Sequence, residues 1–332
     1  MKTRLLKDTD EDIRIAAKII EQGGLVAFPT ETVYGLGANA MDADAVRKIY
    51  EAKGRPADNP TIVHIAEREE LGQVTFLVTE DMKTLMDRFW PGPMTMIVPR
   101  GEYIPYVTTG NLETVGVRMP ENEVARELIR RSGCPIAAPS ANLSGKPSPT
   151  TAQHVIDDLD GRIDAVIQSG PCRIGIESTV IDMTGKIPMI LRPGYITKKD
   201  FEEALGQEIL LDPTLNRKPR EGEDFHPKAP GMKYRHYAPR AEMIIFKGDR
   251  IRVEAAIDQE RAEREALGQK VFVIDFDEDR ETVAAHEIFA MLRQADREGA
   301  DVILAAALPQ RGVGFSVMNR MLKSAGFNVR EV

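Results

Sequence analysis

The stretch DAVIQSGPCRIGIESTVIDMTGKIPMILR, residues 164–192, contains three apolar runs, DAVIQS, STVIDM and PMILR, separated by segments too short for a helix. Short β-branched runs bounded by Gly, Pro and Thr read as strands. Strands in direct succession do not fit a sheet made only of strand–helix–strand units, so a mixed sheet is expected. Upstream, MTMIV (94–98), TVGVRM (114–119) and CPIAAP (134–139) add strands of the same kind, preceded by LVAFP (25–29) and TIVHIA (61–66). Helices fill the spaces between. Ile13, Ala16, Ala17 and Ile20 share one helical face ahead of Gly23-Gly24. Asp42 can cap a second helix, where Val46, Ile49 and Tyr50 recur at helical spacing, and Gly54 closes it. Lys53 and Arg55 therefore fall at a helix-to-loop junction, where they are expected to be exposed. Met82, Leu85, Met86 and Phe89 mark a third helix, stopped by Pro91-Gly92-Pro93, and two more lie near 122–131 and 151–159. These readings predict an α/β domain over residues 1–206, a twisted mixed sheet with flanking helices, whose core is self-contained, so that a chain ending at Leu205 should fold.

Residues 207–240 change character, with scattered prolines, charges of both signs and little apolar periodicity. Loops longer than ~12–15 residues are commonly either disordered or functional. The segment PGMKYRHYAP (230–239) sets aromatic rings beside cations, so it is expected to act as a lid over a bound ligand. From 241 to 332 the pattern resets. MIIFKG (243–248), KVFVIDF (270–276) and DVILAAAL (301–308) alternate with helices near 250–267, 281–298 and 313–325. That alternation predicts a smaller, Rossmann-like three-layer α/β domain with a parallel sheet.

Composition removes several function classes. No apolar run approaches the ~20 residues needed to cross a bilayer, and the N-terminus lacks the apolar core and cleavage site of a signal peptide, so a cytoplasmic protein with no membrane role is expected. Cys134 and Cys172 are too few for a disulfide framework and lack zinc spacing. His64, His154, His226, His236 and His286 are dispersed, and no tightly bound transition metal is expected. The net charge of −8 argues against a protein coated with nucleic-acid-binding surface, but leaves room for a local basic cleft.

The chain has no G-x-x-x-x-G-K-[ST] loop, G-x-S-x-G elbow or H-E-x-x-H pair. Four strings stand out instead: PTETVYGLG (29–37), KGRPADNP (53–60), PSANLSGKPSPT (139–150) and ESTVID (177–182). Singly they suit turns. Together, Lys53, Arg55 and Arg192 can neutralise a polyphosphate, while Ser140, Asn142 and Ser148 offer hydrogen bonds to its oxygens. Alternation along TVGVRM puts Thr114 and Arg118 on one face about 13 Å apart, at ~3.3 Å per residue, so they could meet different parts of an extended ligand pair. The residues alone imply a site for a phosphorylated and a carboxylated small molecule.

PTETVYGLG, the K-x-R of Lys53 and Arg55, the S-x-N of Ser140 and Asn142, and PGMKYRHYAP closely resemble the long form of the YrdC family, threonylcarbamoyl-AMP synthases. The resemblance implies a YrdC-like first domain, a tetrad of Lys53, Arg55, Ser140 and Asn142, and threonine held by Thr32, His64, Arg118, Ala138 and Ser178. It assigns ATP to Arg55, Asn59, Thr114, Ser140, Ser148 and Arg192, with Tyr234 closing from the linker. The implied reaction joins L-threonine, bicarbonate or CO2 and ATP, with Mg2+ carried mainly by the ATP phosphates, and serves N6-threonylcarbamoyladenosine modification of tRNA. It also implies transfer of the intermediate to a downstream tRNA threonylcarbamoyltransferase complex. Two competing readings are an RNA-binding module of the same fold, with weak RNA contact, and a carbamoyl-transfer maturation enzyme, whose usual acyl-phosphate and zinc-finger-like modules this chain lacks.

Overall fold

The starts of the first seven α-helices are set by side chains that satisfy a free backbone amide, while among the described residues the last two have no side-chain cap. The computed structural model describes residues 2–215, 229–230 and 237–332. Strand β1 (Arg4–Lys7) leads to α1 (Asp10–Glu21), where Thr9 accepts from the Asp12 amide and Ile13, Ala16, Ala17 and Ile20 turn inward. After β2 (Val26–Phe28) and β3 (Gly35–Asn39), Asp42 caps α2 (Ala43–Lys53), and Gly54 stops it at φ 60°. Glycine takes that left-handed conformation without a Cβ penalty, and the sharp stop turns the chain back onto the sheet. The order continues as β4 (Ile62–His64), α3 (Glu80–Phe89), β5 (Met94–Pro99), β6 (Thr114–Arg118), α4 (Glu123–Ser132), β7 (Ile136–Ala137), α5 (Ala152–Leu159) and β8 (Ala165–Gln168). Then come β9 (Thr179–Asp182), β10 (Met189–Arg192), α6 (Lys198–Leu205) and β11 (Leu210–Leu211).

Among the described residues these strands form one 11-stranded sheet in the order β1-β8-β2-β3-β7-β4-β6-β5-β9-β10-β11. Its pairings are mixed, as the closely spaced strands require: β4 lies parallel to β6 and β5 parallel to β9, while β5–β6 and β9–β10 are antiparallel. β8 does not neighbour β9, the next strand in sequence, but inserts parallel between β1 and β2 at the other side of the sheet. The sheet also runs past residue 206, because β11 pairs with β10.

The C-terminal region supplies β12 (Glu242–Lys247), α7 (Arg250–Ala266), β13 (Val271–Ile274), α8 (Glu281–Glu298), β14 (Val302–Ala306), α9 (Gly312–Ser324) and β15 (Val329–Glu331). Its sheet, β13-β14-β12-β15, is wholly parallel. Val253 and Ile257 of α7 cover one face, and Ile288, Phe289, Val317 and Met321 of α8 and α9 cover the other, giving three layers. The short, mostly exposed β15 carries too little apolar pattern to have been read from sequence.

The two cores are not independent. Val33, Ile174 and Ile176 belong to the C-terminal cluster, and Ile209 belongs to the first. Gly175, at φ +87°, abuts α8 so closely that a Cβ would lie 2.5 Å from the His286 Cα. A chain ending at Leu205 would lose Ile209 and leave Val33, Ile174 and Ile176 uncovered, so the expectation of a self-contained first core is corrected. Cys134 and Cys172 are buried, and burial pushes both thiols up to about 12, as suits packing residues. No helix among the described residues is long and apolar enough to cross a membrane.

Candidate active site

The turn between β2 and β3 is tied internally. Thr30 donates its hydroxyl to the Val33 carbonyl at 2.6 Å and meets the Thr32 hydroxyl at 2.9 Å. This turn, the ends of β4, β6 and β10, and the loops after β7 and before β9 enclose a cavity of about 40 Å³, with Pro230 and Tyr237 completing its lining.

One wall is centred on Arg118, at the end of β6. Its Nη1 donates to Thr32 Oγ1 at 2.9 Å, its Nη2 to Glu31 at 2.6 Å, and its Nε to the Gly92 carbonyl at 3.3 Å. Arg118 and Glu31 form a buried ion pair, and the second Glu31 oxygen has no partner among the described residues. His64 stands beside it, edge-on to Phe28, with Nδ1 3.2 Å from the Ile62 carbonyl. Burial, reinforced by the Arg118 charge, lowers the imidazole to about 3, so it is neutral near pH 7. Ala138 packs closely on Gly35, where a Cβ would come within 3.3 Å of both Ala138 and Phe28.

A second group in the lining is Arg55, Ser140, Glu177 and Arg192. Arg192 donates from Nε to the Ser178 carbonyl, from Nη2 to Ser178 Oγ at 3.0 Å, and from Nη1 to the Pro230 carbonyl at 3.1 Å. Ser178 Oγ is also 2.7 Å from Thr95 Oγ1, which links the two walls. Glu177 accepts from Ser148 Oγ at 2.6 Å and from Arg320 Nε, on α9, at 2.9 Å. Burial works to raise the Glu177 carboxyl, but the Arg320 and Arg192 charges and the Ser148 bond outweigh it and hold it at about 2.

Eight of the sequence-predicted residues thus meet on one cavity: Thr32, Arg55, His64, Arg118, Ala138, Ser140, Ser178 and Arg192. Others stand behind the lining. Lys53 donates to the Ser140 and Asn142 carbonyls, and Asn142 Nδ2 donates to Leu143 and Lys146. Arg55 is braced by the Asn59 and Pro60 carbonyls at 3.1 and 2.8 Å. The tetrad therefore divides, with Arg55 and Ser140 facing inward while Lys53 and Asn142 clamp the loop that presents Ser140. Lys53 and Arg55 are only 2% and 7% exposed, which corrects the expectation of exposed cations. The Gly54 stop folds them under the 140–144 loop rather than out to water. Burial first, and then the Arg55 charge, holds the Lys53 ammonium well below its usual range, and burial lowers Arg55 to about 10.

Thr114 does not reach the cavity. It begins β6 opposite Pro99, at the end of the strand away from Arg118. Tyr234, His226, His236 and most of the expected lid lie outside the described residues. Sequence reasoning did not single out Glu31 or Glu177, although each sits inside a quoted string, whereas Tyr237 was expected as part of the lid segment. A carboxylate in an anion site is easily passed over when only cations and hydroxyls are sought. Arg320 had no local signal, since its partner is 143 residues away.

Comparison with known proteins finds relatives that match nearly the whole chain. A family model described as telomere recombination, Sua5/YciO/YrdC, matches residues 18–194, and one described as threonylcarbamoyl-AMP synthase, C-terminal domain, matches residues 196–326. The threonylcarbamoyl-AMP synthase of Pyrococcus abyssi is 50% identical, with 96% of each chain covered. That of Bacillus subtilis is 47% identical over 98% of this chain and 96% of its own. The crystal structure of P. abyssi Sua5 complexed with L-threonine superposes with a TM-score of 0.93 at 47% identity, covering all of both chains.

Proposed function

The chain belongs to the Sua5/YciO/YrdC family, and from that premise we propose that it makes L-threonylcarbamoyl-AMP and pyrophosphate from L-threonine, bicarbonate or CO2 and ATP, for N6-threonylcarbamoyladenosine modification of tRNA. The observation that carries this reading is one cavity lined by Arg118, Thr32 and His64 together with Arg55, Ser140 and Arg192. The first set suits an amino acid with a carboxylate and a hydroxyl, and the second suits phosphates. Lys53, Asn142, Asn59 and Ser148 serve it from behind, and Tyr234 is assigned to the nucleotide by family resemblance alone.

In this nucleotidyltransferase reaction the threonine amine adds to CO2 and loses a proton, giving an N-carboxylate. A carboxylate oxygen then attacks the α-phosphorus of ATP, the bond to the bridging oxygen breaks, and pyrophosphate leaves. Both partners are anions, so the protein's task is to suppress repulsion and align them. Arg118 holds threonine by its carboxylate, and Arg55 and Arg192 face the polyphosphate. Such alignment supplies up to ~7–11 kcal/mol of barrier reduction without an acid–base triad. His64, neutral and buried, serves as a threonine contact. Mg2+ enters with the ATP phosphates as part of the substrate. Among the described residues Glu177 is the one carboxylate in the lining, and both its oxygens accept hydrogen bonds from protein groups.

The cavity of about 40 Å³ is far below the ~300–1,000 Å³ typical of ligand sites. Binding therefore requires its wall to move, and the Arg192–Pro230 hydrogen bond and Tyr237 are the contacts that bar the nucleotide side. The labile product suits direct transfer to a tRNA-modifying partner. Incubation with ATP, Mg2+, threonine and labelled bicarbonate tests the assignment: pyrophosphate and a labelled adenylate should form, and each omission should abolish the label. Labelled product without threonine would sink it.

A further inference from the structure

Helix faces turned toward a core are normally apolar, but α9 buries a polar stripe of Ser316, Asn319, Arg320, Lys323 and Ser324. Their spacing places them on adjoining turns of one face. Their bonds leave the C-terminal region. Ser316 Oγ donates to the Gly194 carbonyl at 2.7 Å, in the turn that follows Arg192. Arg320 Nε donates to Glu177 at 2.9 Å, and Ser324 Oγ donates to the Tyr237 carbonyl at 3.1 Å. The Arg320 guanidinium also stands 5.7 Å from the centre of the Tyr237 ring, and the Phe289 ring of α8 lies 5.0 Å from it. One helix thus grips three parts of the phosphate-facing wall.

Glu177 makes this grip consequential. A carboxylate facing a polyphosphate repels it, and a buried carboxylate is costly unless it is paired. Arg320 is fully buried and approaches Glu177 from behind the cavity, so it cancels that charge without entering the lining. Ser148 takes the other Glu177 oxygen, which fixes the carboxylate in place.

We propose that Arg320 is a positioning residue for the nucleotide: from α9 it neutralises and orients Glu177, so that the C-terminal region completes the phosphate-binding wall. This inference rests on reading the cavity as the synthase site. It predicts a substrate-selective defect, because among the described residues no hydrogen bond links Thr32, His64, Arg118 or Ala138 to α9.

The test uses the full-length chain and measures KM for ATP and for threonine, kcat and thermal unfolding. Arg320→Met should raise KM for ATP by about 30-fold or more, as expected when a buried pair loses one partner, while KM for threonine changes by less than about threefold. Removing the carboxylate as well, in Glu177→Gln/Arg320→Met, should recover ATP use to within about fivefold of wild type, since the uncompensated charge is gone. Arg320→Lys keeps the charge but not the fork geometry and should show the same split at smaller size, which carries the test if Arg320→Met does not fold. Equal changes in both KM values, or a double variant no better than Arg320→Met, would overturn the proposal. Calorimetric titration with Mg-ATP separates the two levels: no binding by the wild-type protein defeats the synthase reading, whereas equal binding by wild type and Arg320→Met defeats only this inference.

Discussion

The wall carrying Thr32, His64, Arg118 and Ala138 takes its side chains and their charged partner, Glu31, from the first 138 residues, whereas the wall carrying Glu177 and Arg192 is held by groups as distant as Arg320. The first is a product of sheet register: β4 and β6 lie parallel with His64 opposite Arg118, and the β2–β3 turn delivers Thr32 to them. The second has its chemistry on one sheet and its supports on the other region's helix. The Arg118 group is built mainly by one sheet, touching the C-terminal core only where Val33 and the 174–175 segment that bonds Glu31 and Thr32 pack on it, while the Arg192 group takes a direct side-chain bond from α9 and depends more on docking. The predictions that follow try to break this distinction.

The largest effect is expected from Arg118→Ala. It leaves Glu31 buried without its cation, and losing one partner of a buried pair costs ~3–5 kcal/mol. Chemical denaturation should report that loss, and threonine use should vanish while Mg-ATP binding is kept. Loss of both substrates together would show that the walls are not separable. Next comes Lys53→Ala, which strands the Ser140 and Asn142 carbonyls in a buried loop at a cost of about 2–4 kcal/mol. Because that loop presents Ser140, turnover should fall along with stability. A variant that melts like wild type would mean that Lys53 is not the clamp its bonds imply. Arg118→Lys is milder. It keeps the charge, loses the fork, and should raise KM for threonine about 10- to 100-fold, or ~1.4–2.8 kcal/mol, with KM for ATP little changed.

The same contrast explains what could be read from sequence. Helix ends were legible because Asp42, Gly54 and the Ile13–Ile20 stripe act within a few residues of themselves. In the Arg118 group only Thr32 falls in a string that carries the family resemblance, and His64, Arg118 and Ala138 came from what that resemblance implies. Glu31 was passed over because its neighbours offered the hydroxyls that an anion site calls for. Lys53 and Arg55 were found but placed in water, since nothing local reveals that the 140–144 loop covers them. The grip of α9 was invisible. A polar stripe on a helix reads as a solvated face, and only docking shows that Ser316, Arg320 and Ser324 are buried against another region. Thr114 shows what alternation leaves open: it shares a face with Arg118 but stands at the other end of β6, opposite Pro99, outside the enclosed cavity.

Acidification separates the walls with the smallest expected effect, because each holds a group shifted in its own pH window. His64 titrates near 6.5 when unfolded and at about 3 when folded, since burial, then Arg118, disfavours the imidazolium. Between those values the unfolded chain binds the extra proton, so stability falls as pH drops below 6.5, by about 1.4 kcal/mol at one unit below. His154, lowered to about 4 by burial and then the Arg293 charge, acts in the same direction over 6.5 to 4. Glu177, at about 2 when folded against 4.5 unfolded, contributes stability that is whole above 4.5 and is lost as pH falls toward 2. The histidine losses therefore come first and the Glu177 loss second. Denaturant unfolding measured between pH 6 and 4.5 should give a wild-type slope that includes about two protons from these histidines, and His64→Gln should lower that slope by about one. Its absolute stability at neutral pH is not the readout, because replacing a buried ring also changes packing. The slope reports only the titration. An unchanged slope in His64→Gln would mean that His64 is not held neutral by the fold, and with it would go the picture of an uncharged imidazole beside Arg118. A slope that falls in His64→Gln but also in a variant confined to the other wall, such as Arg320→Lys, would show that the two walls answer acid as one unit.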